Sequence, residues 1–248
     1  MIPNRINLVI PLAGEGLRFK LAGYKDPKPF ISVNGVPMII GVIDNFHEVH
    51  DLIDSLILIC RTEHLDRLRL AISSHFPLLK SRVKYITVDN LTEGAACTVL
   101  FAYEHINNNL PLIVANSDQF VDWDEKDFLT RASESEGCIL TFDETERNPK
   151  WSFVELDAAG RVSRTVEKRP VSDLATVGIY FFRRGADFVE AAVRMMIERD
   201  RTNNEFYLCP VFNYLIRKSF KISIYKIDKE RMRGLGTPED LEWYLGTT

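Results

Sequence analysis

An α/β fold is what this 248-residue sequence predicts: one domain, a mostly parallel Rossmann-like sheet with helices on both faces, and an antiparallel extension late in the chain. Three observations carry that expectation. The first half, to about residue 135, alternates short apolar β-type runs with segments of helical period, the pattern of a parallel sheet covered on both sides. The first apolar run, residues 8–12, breaks directly into a glycine-containing turn. From about residue 136 the character shifts to closely spaced β-type runs, two of them joined by a hairpin signal at Asp157-Ala158-Ala159-Gly160.

Residues 8–12 read as a buried strand. The connection over 13–30 is longer than connections within a compact domain usually are, which favours a working loop. Val36-Pro37 opens a helix with apolar positions at Met38, Ile39, Val42, Ile43 and Phe46. Residues 55–60 form a second strand, followed by a helix over about 63–73 with the stripe Leu65, Leu68, Leu70 and Ile72. Val83–Val88 is a third strand, 89–92 a loop, and 94–105 a helical segment whose small residues suit close packing on the sheet or a ligand. Residues 111–115 make a fourth strand, ending in Asn116-Ser117-Asp118-Gln119. Residues 124–135 are helical, with Asp124 and Glu125 set against the positive end of the helix dipole.

In the second half, residues 137–142, Ser152–Leu156, 162–166 and 176–182 read as strands. Helices are expected over 186–199 and 205–218, the latter with Pro210 near its start, and a strand over 221–227. Thr237 suits the N-cap of a last helix, with Pro238 at N1 and Asp240 at N3. No repeat or low-complexity linker divides the chain.

Composition narrows the function classes. Apolar residues at 46% and charged residues at 27% are ordinary for a soluble enzyme, and a net charge of −4 argues against a general nucleic-acid binder. The four cysteines are scattered without CxxC spacing, so reduced thiols are expected rather than disulfides. No apolar run approaches the ~20 residues of a membrane span, and the apolar stretch at the N-terminus is too short for a signal peptide. A cytoplasmic protein is expected.

The chemistry concentrates first in 13–30. A strand that ends in Gly14 and Gly16 leaves backbone N–H groups free and lets an anion approach. Arg18, and Lys28 held between Pro27 and Pro29, add fixed positive charge, a combination suited to a triphosphate. The run is neither a Walker A sequence nor GxGxxG, since Phe19 stands where the last glycine would be. Asp118 follows a buried strand, where an acid either holds Mg²⁺ against phosphates or simply caps a turn; Asp122 is a nearby candidate for either role. In Glu167-Lys168-Arg169-Pro170, Lys168 in a pocket would neutralise a phosphate and Glu167 would accept from hydroxyls, whereas on a solvated strand the pair means little. No GxSxG or HExxH is present, and His47 and His50 lack a third ligand.

Together these residues resemble the sugar-phosphate nucleotidyltransferase (nucleoside-diphosphate-sugar pyrophosphorylase) family, over nearly the whole chain. The glycine–Arg18 loop with its downstream Pro27-Lys28-Pro29, the run LTEGAACTVLFA at 91–102, NSDQ at 116–119, EKRP at 167–170, TVGIYFF at 176–182 and GLGTPEDLEWYL at 234–245 carry the likeness. The resemblance implies transfer of a nucleotidyl group from an NTP to a small phosphorylated acceptor, with Mg²⁺ as cofactor and pyrophosphate released. It implies a nucleotide side at Leu12, Ala13, Gly14, Gly16, Thr92 and Gly94, with Arg18 and Lys28 acting on the phosphates and Asp118 on the metal. Glu167, Lys168, Gly178 and Glu205 fall on the acceptor side, and the region around Glu205 contacts either the acceptor or a partner subunit, which leaves a homo-oligomer open.

A sugar 1-phosphate feeding surface polysaccharide is the first acceptor the resemblance suggests. The second is a non-sugar phosphate such as a phosphorylated amine or amino acid, with CTP. A glycosyltransferase of similar fold is disfavoured by Ser117-Asp118-Gln119 in place of DxD, and a non-catalytic nucleotide-binding module remains a further alternative. One departure lies in the phosphate loop, where Gly16-Leu17-Arg18 stands for the family's GTR and lacks its hydroxyl, and the others lie in the acceptor half. Gly234 stands where much of the family has a second metal aspartate, Ser152 replaces a glycine before VVE, and EKP is expanded to EKRP.

Overall fold

The computed structural model, which describes residues 2–247, alternates strand and helix as far as residue 132. That stretch runs β1 (Ile6–Pro11), α1 (Leu17–Leu21), the two-residue strands β2 (Ser32–Val33) and β3 (Val36–Pro37), α2 (Met38–Asp44), β4 (Ile53–Arg61), α3 (Leu65–His75) and β5 (Val83–Val88). It continues through α4 (Ala95–Leu100), α5 (Tyr103–Ile106), β6 (Leu112–Ala115), β7 (Gln119–Val121) and α6 (Glu125–Ala132). The remainder comprises β8 (Gly137–Asp143), β9 (Ser152–Leu156), β10 (Val162–Glu167), β11 (Leu174–Phe182), α7 (Gly185–Ile197), α8 (Val211–Arg217), β12 (Ile222–Ile227), β13 (Met232–Gly234) and α9 (Pro238–Thr247).

Among the described residues, nine strands share one sheet. β5, β4, β1 and β6 lie side by side in parallel, β11 follows antiparallel to β6, and β8 and β12 continue beyond it as a parallel pair. The β9–β10 hairpin attaches to the first half of β11, opposite β8, leaving the second half of the same edge to β6. The sheet is therefore mostly parallel with an antiparallel extension, as expected.

Alternation along each strand explains why both faces are covered. In β1, Ile6, Leu8 and Ile10 enter one core layer and Val9 the other. β4 divides likewise, Leu56 and Leu58 against Ile57 and Ile59. Helices α2, α3 and α6 cover the first layer, through residues such as Ile39, Leu68 and Phe128. Helices α4, α7 and α8 cover the second, through Val99, Phe188 and Phe212. Truncating a fully buried side chain such as Leu8 to alanine costs about 2–5 kcal/mol in such a core.

The caps follow the sequence. Asp124 accepts the Asp127 N–H at 2.7 Å, and the Thr237 hydroxyl accepts that of Asp240 at 3.1 Å. Four expectations are corrected. The 13–30 connection contains a short helix, α1, rather than loop throughout. Residues 94–105 are two helices broken at 101–102. Leu70 points outward, 69% exposed. Residues 205–210 are not helical: Pro210 has no N–H to give and becomes the N-cap of α8, while the Phe206 backbone bonds elsewhere. The small ribbon of β7 with β13 was not anticipated. All four cysteines are free, and among the described residues no helix is long and apolar enough to cross a membrane.

Candidate active site

The chain places β4 and β5 on one side of β1, then returns to lay β6 on the other. At such a switch point the crossovers leave in opposite directions and a crevice opens beyond the carboxyl ends of the strands. Here that crevice is a cleft of about 510 Å³.

Its near wall is the exit of β1. Leu12 is still tied to the sheet, its N–H donating to Ile59 at 2.7 Å, and Ala13 and Gly14 then leave it. A Cβ at Gly14 would meet nothing within 4 Å, so that backbone faces open space. Gly16 turns the chain into α1 with φ +61°, and a Cβ there would come 3.0 Å from Cβ of Lys28. The glycine thus lets the proline-flanked segment approach the strand exit. Arg18, on α1, is exposed at the rim.

Lys28 begins a single tight turn in which the Phe30 N–H donates to Pro27 at 2.8 Å and Pro29 and Phe30 are buried. Its base is anchored, and its ammonium reaches Asp118 Oδ2 at 2.6 Å. Asp118 is held from the other side by its main chain, which accepts the Leu235 N–H at 2.7 Å.

The far wall is the start of α4. Gly94 adopts φ +120°, and a Cβ would fall 2.5 Å from the Phe206 carbonyl oxygen. The space belongs to a main-chain clasp: the Phe206 N–H donates to Glu93 at 2.7 Å and its carbonyl accepts from Ala96 at 3.0 Å. Thr92 lies beside it, its hydroxyl sharing a 2.6 Å hydrogen bond with that of Thr98. The clasp sets Glu205 and Tyr207 into the cleft wall.

A second cleft of about 280 Å³ opens from the first, and Arg18, Asp118, Glu205 and Tyr207 border both. Glu167 ends β10 directly opposite Ser152 in the ladder, and the Ser152 hydroxyl donates to its carboxylate. Burial raises the Glu167 carboxyl above its ordinary range, opposed by that hydrogen bond and by the charge of Lys168. Lys168 takes a left-handed φ of +52° and lays its ammonium 4.5 Å from the Tyr207 ring centre, hydrogen-bonded to the phenol oxygen. Burial, and then Glu205, hold the Tyr207 phenol protonated well above its usual range.

The expected nucleotide-side residues therefore gather in one cleft, and Glu167, Lys168 and Glu205 in the other. Gly178 lines neither. It is buried, its carbonyl accepts the Asn116 N–H at 2.8 Å, and a Cβ would lie 2.4 Å from Asn116 Nδ2. Its close approach is to Asn116, which borders both clefts. Asp122 is exposed and borders neither. Gly234 offers no carboxylate, and the Trp151 ring occupies the space beside it, 3.0 Å from where a Cβ would stand.

Sequence reasoning assigned no site role to Asn116, Lys150, Trp151 and Asp240, all at the second cleft, and took Tyr207 only as part of the 204–207 region. Asn116 had a local signal, since it follows the same buried strand as Asp118.

Among the described residues no group of three or more His, Cys, Asp or Glu is suited to hold a metal. Asp118, between the two clefts, fits Mg²⁺, which commonly takes one or two carboxylates and completes its shell with substrate phosphates and water.

A glycine-lined strand exit, a fixed lysine and an acid at the switch point define a class: an α/β enzyme that works on a bound nucleotide. Residues 8–222 match the family described as Nucleotidyl transferase, so the chain belongs to that family and is a nucleotidyltransferase. It is 26% identical over 179 residues to the bifunctional protein GlmU of Methanococcus aeolicus, a match that takes in 71% of this chain and 40% of that protein's length. The crystal structure of a nucleoside-diphosphate-sugar pyrophosphorylase from Vibrio cholerae RC9 superposes with a TM-score of 0.83 at 25% identity, covering 96% of this chain and 99% of that one. A putative glucose-1-phosphate thymidylyltransferase from Bacillus anthracis shares the fold, with a TM-score of 0.79, 14% identity and coverage of 98% and 94%. So does the inositol-1-phosphate CTP transferase of T. maritima, at 0.76, 10%, and 100% and 97%.

Proposed function

We propose that this enzyme transfers a nucleoside monophosphate from an NTP to a sugar 1-phosphate, with Mg²⁺, and releases pyrophosphate, supplying an activated sugar for surface polysaccharide. The observation that carries the reading is the junction: Arg18, Asp118 and the Asp118-bound Lys28 stand where the two clefts meet. An acceptor phosphate oxygen entering from the smaller cleft attacks the α-phosphorus of a nucleotide in the larger one. One P–O bond forms, the bond to the bridging oxygen breaks, and pyrophosphate leaves with the electron pair.

No covalent enzyme intermediate is required, so the protein's part is alignment and charge neutralisation. Gly14 and Gly16 offer backbone to the outer phosphates, Arg18 faces the charge that pyrophosphate carries away, and Lys28 meets the charge that grows on the α-phosphoryl oxygens. Leu12, Ala13, Thr92 and Gly94 hold the nucleoside end. Asp118 would hold Mg²⁺, which when bound would neutralise phosphate charge. Glu167, fixed by Ser152, accepts from acceptor hydroxyls, and Lys168 and Glu205 complete that wall.

The two aromatic rings of the smaller cleft support a hydroxylated acceptor over a cationic one. The Trp151 and Tyr207 rings, which would otherwise greet an ammonium group, already carry Lys150 at 4.7 Å and Lys168 at 4.5 Å.

The test is a matrix of each NTP against a panel of phosphorylated acceptors with Mg²⁺, read by pyrophosphate release. Release with a hexose 1-phosphate is expected. Release only with phosphoamines would replace the acceptor assignment, and no release in any pairing would overturn the reading.

A further inference from the structure

We infer that Trp151 determines which acceptors the smaller cleft admits, by limiting the substituent beside the phosphate-bearing carbon. The inference rests on the transfer reaction proposed above and adds a selecting residue to it.

The turn at 234–236 separates Trp151 from Asp118. A Cβ at Gly234 would stand 3.0 Å from Trp151 Cη2, and one at Gly236 would stand 3.1 Å from Asp118 Oδ2. One end of this short turn is thus pressed against an indole edge and the other against a carboxylate. If the acceptor phosphate lies at the junction with Asp118 and Arg18, the atoms next to that phosphate come to the indole.

The ring is also fixed in place. Phe142 meets it edge-on, with centroids 5.3 Å apart and planes at 84°. The Lys150 ammonium lies 4.7 Å from its centre and is tied to Asp240 at 2.8 Å. The Trp151 carbonyl accepts the Lys168 N–H at 3.1 Å, and the next residue, Ser152, holds Glu167. An indole braced by Phe142, Lys150 and its own main chain does not swing aside cheaply, so added bulk on that side meets a fixed wall. The acceptor class that fits is a hydroxylated ring 1-phosphate with a small substituent at the neighbouring carbon, such as a plain hexose rather than its 2-acetamido counterpart.

The measurement is the ratio of kcat/KM for a hexose 1-phosphate over its 2-acetamido-2-deoxy counterpart. The wild-type protein is expected to favour the plain sugar by tenfold or more, within the range a tight pocket gives for one added group. Trp151→Ala should shrink that ratio about tenfold while the KM for NTP stays within about threefold, and Trp151→Phe should fall between. Gly234 has no positive φ, so in Gly234→Ala only the ring opposes the new methyl. That variant should sharpen the preference, and adding Trp151→Ala should erase the sharpening. Melting curves establish that each variant is folded; should Trp151→Ala not fold, Trp151→Phe and Gly234→Ala carry the same comparison. A ratio unmoved in the folded variants, with pyrophosphate released by the wild type, overturns this inference alone. A wild type that releases none with any sugar phosphate overturns the reaction and this inference with it.

Discussion

Lys28 and Asp118, 90 residues apart in the chain, form an ion pair with the ammonium 2.6 Å from the carboxylate. Each occupies the other's charge, and both are only partly exposed, at 19% and 29% of their side chains. A nucleotide would draw the lysine toward phosphate and the aspartate toward a metal ion. In the proposed reaction the pair would have to exchange partners first, at a cost on the order of 1 kcal/mol. Lys28→Met should therefore bind Mn²⁺ several-fold more tightly than the wild type in the absence of nucleotide, measured by titration of free Mn²⁺. Unchanged affinity would show that the pair does not hold the metal off.

In turnover the sign reverses. Lys28→Ala should lose kcat by on the order of 10²-fold or more if its charge stabilises the transition state as proposed. A rise in KM with unchanged kcat would reassign Lys28 to ground-state binding. Asp118→Asn should abolish activity or its dependence on Mg²⁺ in the same assay, and full activity would remove Asp118 from the metal's surroundings.

Gly94→Ala should damage both clefts from one position. The new methyl would face the Phe206 backbone at 2.5–2.6 Å, in a φ of +120° that side chains rarely adopt. Strain and collision together should cost about 3 kcal/mol or more. The expected result is a lower melting temperature and raised KM for both substrates; a rise confined to one would show that the clasp serves a single cleft.

Glu125, on the opposite side of the sheet from the clasp, gives a pH test of stability. Its carboxylate is 2% exposed, its Oε2 has no partner, and burial raises its pKa from 4.5 to about 7 despite His47 at 3.2 Å. Below pH 4.5 both folded and unfolded states hold the proton. Between 4.5 and 7 only the folded state does, so stability from this group falls as pH rises, and above 7 the full penalty remains. Glu125→Gln should stabilise the protein by ~1–3 kcal/mol at pH 8 and by little near pH 4.5, read from denaturant unfolding. Equal gains at both pH values would discount the charge.

Local rules reached much of this molecule. Continuous apolar runs marked β1 and β4, and the glycines, prolines and charges of 13–30 singled out the connection that the structure places along the larger cleft. Asp118 stood out because it follows a buried strand. What escaped was non-local. The periodicity of 205–218 suits a helix throughout, but Phe206 spends its N–H and carbonyl on Glu93 and Ala96, more than a hundred residues earlier. Trp151 reads locally as the residue before a strand, and nothing near it announces Gly234. The ribbon of β7 and β13 is too short for any pattern, yet it brings Gly234 and Gly236 to Asp118.

The clasp at Phe206 joins the late segment to the early one through peptide groups rather than side chains. Peptide groups are the same in every residue except proline. Glu205 and Tyr207, on either side of the anchor, are therefore free to be exchanged without loosening the wall that carries them. A lineage can in this way retune the wall that the two clefts share while the backbone that carries it stays in place.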